Sequence, residues 1–370
     1  MSNARKLADN LPSVGQLFGR NMVINGAMSV SQRHGTSSVQ LSATEQYLVD
    51  RFFNDTGSGF NISADAVQSN DAPSGFANSL KLSCDAVSTP SATHNGCITT
   101  LLEGQDCQRL SFGTSDAKDV TLSFYAKSSS QNSGHTYGIM LGAFLNGTRN
   151  AQVKGFTVTD SWQRFTITFN GTGTVTSTAI NDDNANGMQI SFSLASGSSD
   201  QASYSTWTAD TGLKGFTGQD NFFDNTSNEF YLTGVQLEEG SQASPFEHEP
   251  VGVTLKKCQR YYWNTNGFNN RYVTAIKHSS NWYCSLSAPT TMRANPTPTA
   301  TGGSTNSFRV WDGDGAAGQS GNPTSISAAA SGAILVVDNA SIGSNGEGGL
   351  FSFGDGTNAD RIFVALDAEL

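Results

Sequence analysis

The chain has 370 residues, enough for two ordinary domains. Charged residues make up 14% of it, against roughly 25% in typical soluble domains, and the net charge is −10. With no basic cluster larger than the pair Lys256-Lys257, it has no patch to neutralise phosphates, which argues against nucleic acid and anionic membrane as partners.

Residues 4–19 are the one helical or extended stretch at the start, interrupted by Pro12 and Gly15. They predict a short N-terminal arm over 1–20, either frayed or docked on another protein. From Arg20 onward the text becomes strand and turn. Asp119–Lys127 alternates, with Val120, Leu122, Phe124 and Ala126 on one face. Trp162–Phe169 puts Phe165, Ile167 and Phe169 together, Met188–Leu194 does the same with Met188, Ile190, Phe192 and Leu194, and Phe230–Leu237 alternates around a bulge expected at Gly234. Asn146-Gly147, Asn170-Gly171 and Asn186-Gly187 read as turns. Short strands with one apolar face, separated by such turns, predict a jelly-roll β-sandwich over 21–248. Its Phe content (22 residues) supplies the core.

Pro245–Pro250 reads as a boundary. A smaller C-terminal β-sandwich domain follows over 249–370, with strand-like runs at Trp282–Leu286, Phe308–Trp311, Ala333–Val337 and Arg361–Leu366. Ala288–Ser307, rich in Pro, Thr and Gly, reads as a long loop. The fold class is all-β. No run of about 18 apolar residues occurs, so no membrane insertion is expected. The first twenty residues show no signal-peptide core, which points to synthesis in a cytoplasm. Cys84, Cys97, Cys107, Cys258 and Cys284 have no metal-ligand spacing and are expected as free, buried thiols.

Two segments carry a family likeness. One is Arg20–Arg33 (RNMVINGAMSVSQR) followed by Tyr47–Phe52 (YLVDRF); the other is Glu229–Glu247 (EFYLTGVQLEEGSQASPFE) followed by Lys257–Tyr262 (KCQRYY). This layout, over about residues 20–262, resembles tail-fibre and minor structural virion proteins of tailed bacteriophages. The middle of the domain also resembles jelly-roll carbohydrate-binding modules, whose last strand reads much like FYLTGVQLE. The resemblance implies a virion protein made in the host cytoplasm, on the tail rather than the head, held to other virion proteins by the N-terminal arm. It implies a homotrimer, host adhesion, and a glycan or protein receptor on the host surface met by residues 263–370. A head-decoration or connector protein and a glycan depolymerase remain as alternatives.

No catalytic residues, metal ligands or cofactor are expected. Asp182–Gly187 matches the first half of a calcium loop, but Ser193 stands where its bidentate Glu belongs. Asp312–Gly315 fails in the same way at Pro323. G-x-S-x-G, H-E-x-x-H and the P-loop pattern are absent from the sequence. A depolymerase needs two carboxyls about 5–9.5 Å apart, which composition neither supplies nor forbids. Glycan binding needs exposed aromatic faces beside amides and carboxylates. Trp207, in a polar stretch, and Trp282, Tyr283 and Trp311, in the distal domain, are the candidate contacts. Trp162, which opens an alternating strand, reads as core.

Overall fold

The computed structural model describes residues 19–370 except 58, 61, 173–177, 210–211, 213, 266–271, 302–307, 312–319, 322–324, 339–343 and 354–362. The expected arm over 1–20 therefore lies almost wholly outside the described residues, as does the Asp312–Gly315 loop. The chain forms two compact units, 1–254 with 370, and 255–369. The change from one to the other falls inside a helix, Val251–Gln259.

The first unit contains β1 (Val39–Gln40), β2 (Gln46–Val49), β3 (Phe52–Gly57), β4 (Ala64–Ser69), β5 (Ser79–Cys84), β6 (Asn95–Glu103), β7 (Val120–Ser128) and β8 (Thr136–Leu145). It continues with β9 (Thr148–Thr157), β10 (Gln163–Phe169), β11 (Asn186–Ser196), β12 (Gln201–Ala202), β13 (Thr208–Ala209), β14 (Gly215–Phe216) and β15 (Glu229–Glu239). A six-stranded sheet runs β1-β4-β5-β15-β7-β10, and a seven-stranded sheet runs β13-β9-β8-β11-β6-β3-β2. Neighbouring strands in both are antiparallel. This is the expected jelly-roll sandwich. Its core lies between the layers: Phe124 packs its ring against Phe165 of its own sheet at 5.2 Å and against Phe156 and Phe192 of the other at 5.1 and 5.0 Å. Edge-to-face and offset geometries of this kind add to the area that these rings bury.

Turn chemistry follows the sequence in part. Asn146 and Gly147 join β8 to β9 with φ of 47° and 78°, the two left-handed residues of a tight hairpin. Asn186-Gly187, by contrast, is a bulge at the start of β11, not a turn. A Cβ on Gly187 would stand 2.5 Å from the Gly104 Cα, so the glycine admits the close approach of 104. Asp182–Gly187 is thus an approach loop, in which Asp183 Oδ1 accepts from the Ala185 N–H. Gly234 (φ 62°) is the expected bulge in β15, and it switches the inward face from Phe230 and Leu232 to Val235 and Leu237.

The outer face of the seven-stranded sheet is covered. Gly138 and Gly155 are register partners on β8 and β9; the Phe216 ring lies where a side chain at 155 would project, and the Phe216 backbone with the Gln219 side chain where one at 138 would. Lys214 pairs with Asp55 at 2.5 Å below this cover.

The second unit contains β16 (Tyr262–Asn264), β17 (Tyr272–His278), β18 (Asn281–Ser287), β19 (Thr297–Thr301), β20 (Phe308–Trp311), β21 (Ser320–Gly321), β22 (Ser325–Ala329), β23 (Gly332–Asp338), β24 (Gly348–Phe353) and β25 (Phe363–Asp367). A three-stranded sheet, β16-β25-β19, and a seven-stranded sheet, β21-β20-β24-β17-β18-β23-β22, share a core that includes Trp263, Trp282, Leu335 and Leu366. The sequence expectation of one long loop over Ala288–Ser307 is corrected by β19. Its Pro298 is tolerated because β19 lies at the sheet edge, where a missing N–H breaks no second ladder.

Candidate functional site

The two segments that carry the family likeness meet in space. Beside β15, strand β5 pairs only as far as Leu232. Beyond it, Met22 N–H donates to the Leu237 carbonyl and Val235 N–H to the Gly26 carbonyl, both at 2.9 Å. The Asn21 side chain bonds Val235 and Leu237, and Asn25 reaches Val30 and the Asp50 carbonyl. Glu247 closes the arrangement: its carboxylate accepts from the Gly19 and Asn21 N–H groups at 2.7 and 2.8 Å. These motif residues therefore fasten the segment around 19–26 to the sheet.

This fastening builds one wall of a cleft of about 200 Å³. Asn25, Ser29, Phe76, Asn78, Phe246 and His248 are among its lining residues. Phe76, Phe246 and His248 stand around one another, with ring centres 4.9–5.1 Å apart. The bulge at Gly234 makes room for this: a Cβ there would meet Phe76 at 2.8 Å and Tyr125 at 2.9 Å. Phe76 and Tyr125 are 5.3 Å apart, which carries the aromatic surface out of the cleft onto the outer face of the six-stranded sheet, at the end where Tyr125 and Lys127 are half-buried rather than the end where Thr121, Ser123, Gln236 and Glu238 are covered.

Two residues along β7 from Tyr125, Lys127 continues that face. Its ammonium contacts Asp71 at 2.5 Å and lies 4.5 Å from the centre of the Tyr231 ring and 5.6 Å from that of Trp162. The Trp162 indole N–H donates to the second Asp71 oxygen at 3.1 Å. On the other side of Tyr231, Lys81 pairs with Glu229 at 2.6 Å, and the Tyr231 hydroxyl donates to Glu229 at 2.8 Å. Burial pushes the Asp71 and Glu229 carboxyls up. The hydrogen bonds and charges from Lys127, Trp162, Lys81 and Tyr231 outweigh it, so both stay below their ordinary values. Burial and the Glu229 bond push the Tyr231 hydroxyl up to about 12. The result is a fixed row of rings and ionised groups in which Trp162, Phe76 and Tyr125 are only half-buried.

The sequence-predicted contacts fall elsewhere. Trp207 is 5% exposed, packs on Phe112 at 5.3 Å and donates its N–H to the Asn170 carbonyl. Trp282 is fully buried at the centre of the second core. Neither presents a ring face to a ligand, so burial corrects both expectations. Tyr283 is half-buried on the outer face of β18, near His278, and Trp311 lies on β20 opposite Leu350 with its side chain outside the described residues. Trp282 and Tyr283, neighbours on β18, point to opposite faces of their sheet. Trp162, read as core, is on the open face instead. The alternation of its own strand contains the signal: Phe165, Ile167 and Phe169 point inward, and Trp162 has the opposite parity.

The five cysteines are free and buried, and burial pushes the Cys97 thiol up to about 12. Among the described residues, no group of three or more His, Cys, Asp or Glu is placed to hold a metal ion. None of their helices is long and apolar enough to cross a membrane.

No protein-family model matches the chain, and no curated protein matches it. Solved structures do. The family 11 carbohydrate-binding module of the cellulosomal cellulase Lic26A-Cel5E of Clostridium thermocellum is 16% identical, covering 56% of this chain and 98% of its own, with a TM-score of 0.29. The CBM22-1 xylan-binding domain from Paenibacillus barcinonensis Xyn10C is 10% identical, covering 57% and 99%, at 0.27. The enzymatically active domain of tailspike protein 4 of bacteriophage CBA120 is 12% identical, covering 60% of this chain and 21% of its own, at 0.30. At these scores no residue correspondence is carried across.

Proposed function

We propose that this protein is a non-catalytic, carbohydrate-binding component of a tailed-phage particle, displaying the open face of its six-stranded sheet to a surface glycan. The observation that carries the glycan part is the row of His248, Phe76, Tyr125 and Trp162, with the buried Tyr231 packed against Trp162 and Lys127. It offers apolar ring surface for the faces of sugar rings, beside Asp71, Glu229, Lys81 and Lys127 for their hydroxyls. The cleft at one end is of the size of a single sugar unit, which suits capture of a chain end or branch. Residence on a virion, attachment through the arm over 1–20 and threefold assembly belong to the same reading and rest on the sequence resemblance. Display of many copies would raise a weak single-site affinity, because each further contact forms at high effective concentration.

The test is binding of the full chain to an array of bacterial surface polysaccharides, comparing wild type with Trp162→Ala. Binding by the wild type and its loss in the variant supports the reading. Binding that the substitution leaves unchanged overturns this face as the site. New reducing ends appearing during incubation would overturn the non-catalytic part and restore the depolymerase alternative. Finding the protein only on heads, by labelling particles for electron microscopy, would replace the tail placement by head decoration.

A further inference from the structure

The cleft beside β15 has a polar lining in two parts. Asn21, Asn25 and Glu247 engage their side chains within the fold. Asn78 and His248 do not. Among the described residues, neither the Asn78 carboxamide nor the His248 imidazole has a hydrogen-bond partner, and both residues line the cleft. Asn78 is half-buried and anchored through its backbone carbonyl, which accepts from the Thr233 hydroxyl at 2.8 Å. His248 is held by its ring contacts with Phe76 and Phe246. The cleft thus presents a carboxamide, an imidazole and a continuous patch of three rings to whatever enters.

Its charge is one-sided. Glu247 and Glu249 line it, and none of the described lining residues is Lys or Arg. The cations around it are held by other groups. Lys127 pairs with Asp71, and Lys81 with Glu229. Arg164 donates to the Ser123 hydroxyl at 3.1 Å and to the Ser244 carbonyl, and Glu238 binds the same serine. Arg109 donates to the Gly19 and Arg20 carbonyls. A carboxylate or phosphate brought into the cleft would give up water without meeting a cation, and it would face the two glutamates. A hydroxymethyl or acetamido group has no charge to desolvate. Its oxygen can accept from Asn78, its donor can bond Asn78 or His248, and its carbons can lie against the rings.

We propose that the cleft captures an uncharged sugar unit at a chain end or branch and rejects one that bears a carboxylate or phosphate. Asn78 and His248 are its polar contacts, and Glu247 and Glu249 set the charge selection. This rests on the glycan reading of the adjoining face and adds to it the class of sugar that is taken. Two like charges about 6 Å apart, at an effective dielectric constant of about 40, correspond to roughly tenfold in affinity, which sets the size of the discrimination.

The experiment is binding of the full chain to gluco-, galacto- and N-acetylglucosamine oligosaccharides. Each stands beside the counterpart whose terminal hydroxymethyl group has been oxidised to a carboxylate, at about pH 8, where an ordinary imidazole is neutral. Wild type is compared with Trp162→Ala, Asn78→Ala, Glu249→Gln and Glu249→Lys, with circular dichroism melting to show that each variant is folded. Wild type is expected to bind at least one neutral oligosaccharide, and its oxidised counterpart about tenfold more weakly. Glu249→Gln should bring the two within about threefold, and Glu249→Lys should reverse their order. Asn78→Ala should weaken the neutral ligand by about two- to tenfold. A wild type that binds the oxidised counterpart as well as the neutral one, with both lost in Trp162→Ala, overturns the charge selection and leaves the glycan reading standing. A ratio that Glu249→Lys does not move overturns the cleft as the place where the chain end is held. A wild type that binds no member of the series, neutral or oxidised, overturns the glycan reading and this inference with it.

Discussion

Trp162 stands on the open face because Phe165, Ile167 and Phe169 take the inner one. Its indole N–H and the Lys127 ammonium share the two oxygens of Asp71, so the ring is held before any ligand arrives. Preorganisation of this kind lowers the ordering cost of binding. Truncating an aromatic anchor typically costs about 1.5–3 kcal/mol, which makes Trp162→Ala weaken glycan binding roughly tenfold to over a hundredfold. A half-exposed ring contributes little to the core, so the melting temperature is expected to shift by only a few degrees. Asp71 supplies a pH test. Its carboxyl is held below its ordinary value, so its ionic partners stabilise the fold above about pH 4 and lose that contribution as pH falls through the depressed value. Asp71→Asn, compared with wild type by thermal melting, is therefore expected to show a small penalty, under about 1 kcal/mol because the pair is partly solvated. That penalty is constant from pH 5 to 8 and vanishes toward pH 2. A penalty growing at low pH would contradict the assignment.

At the scale of elements, β15 is the piece on which the site depends. Its bulge at Gly234 admits Phe76 and turns Val235 and Leu237 inward, and its second half is flanked by the segment around 19–26 rather than by β5. The bulge was legible from a glycine inside an alternating run. The flanking segment was not, because bonds such as Asn21 to Val235, separated by 214 positions, leave no local period in the sequence. The residues that carried the family likeness turn out to hold this junction, so the likeness reports on how the sandwich is closed more than on what it binds. Gly26 tests the junction, since a Cβ there would stand 2.0 Å from the Val235 carbonyl oxygen. Backbone on both sides cannot give way cheaply, and Gly26→Ala is expected to destabilise by about 1–3 kcal/mol. Glu247→Ala removes the acceptor from two N–H groups and is expected to cost about 1–3 kcal/mol as well. In both variants hydrogen exchange should accelerate first at residues 19–26. Gly252→Ala is the control: nothing lies within 4 Å of the added methyl, and within the helix Val251–Gln259 alanine should stabilise by up to about 1 kcal/mol.

Across the whole chain, the sandwich architecture was readable because period-two patterning reports which side of a strand is wet. Phe124 and Phe192 were placed on inner faces from parity alone, and both lie in the first core. Ligand contacts were harder, since a tryptophan in a polar stretch has no parity to consult: Trp207 sits between loops, and its burial against Phe112 comes from chain far away in sequence. The helix Val251–Gln259 was also hidden, because Val, Gly and Thr are weak helix formers and little in VGVTLKKCQ marks one. The prolines before it read as a boundary between 248 and 249, whereas the two compact units divide between 254 and 255. Among the described residues the cores of the two units share none: one is built around Phe124, Phe156 and Phe192, the other around Trp282, Leu335 and Leu366. A core of its own is what lets a unit unfold cooperatively. Differential scanning calorimetry of the full chain is accordingly expected to resolve two transitions. Phe124→Ala, at a fully buried ring, should cost about 3–5 kcal/mol and lower one of them by about 6–15 °C. Leu335→Ala, also fully buried, should cost about 2–5 kcal/mol and lower the other by about 8 °C or more, since a smaller unit has less unfolding entropy to spread the loss over. A single transition that both substitutions move together would mean that the two cores melt as one.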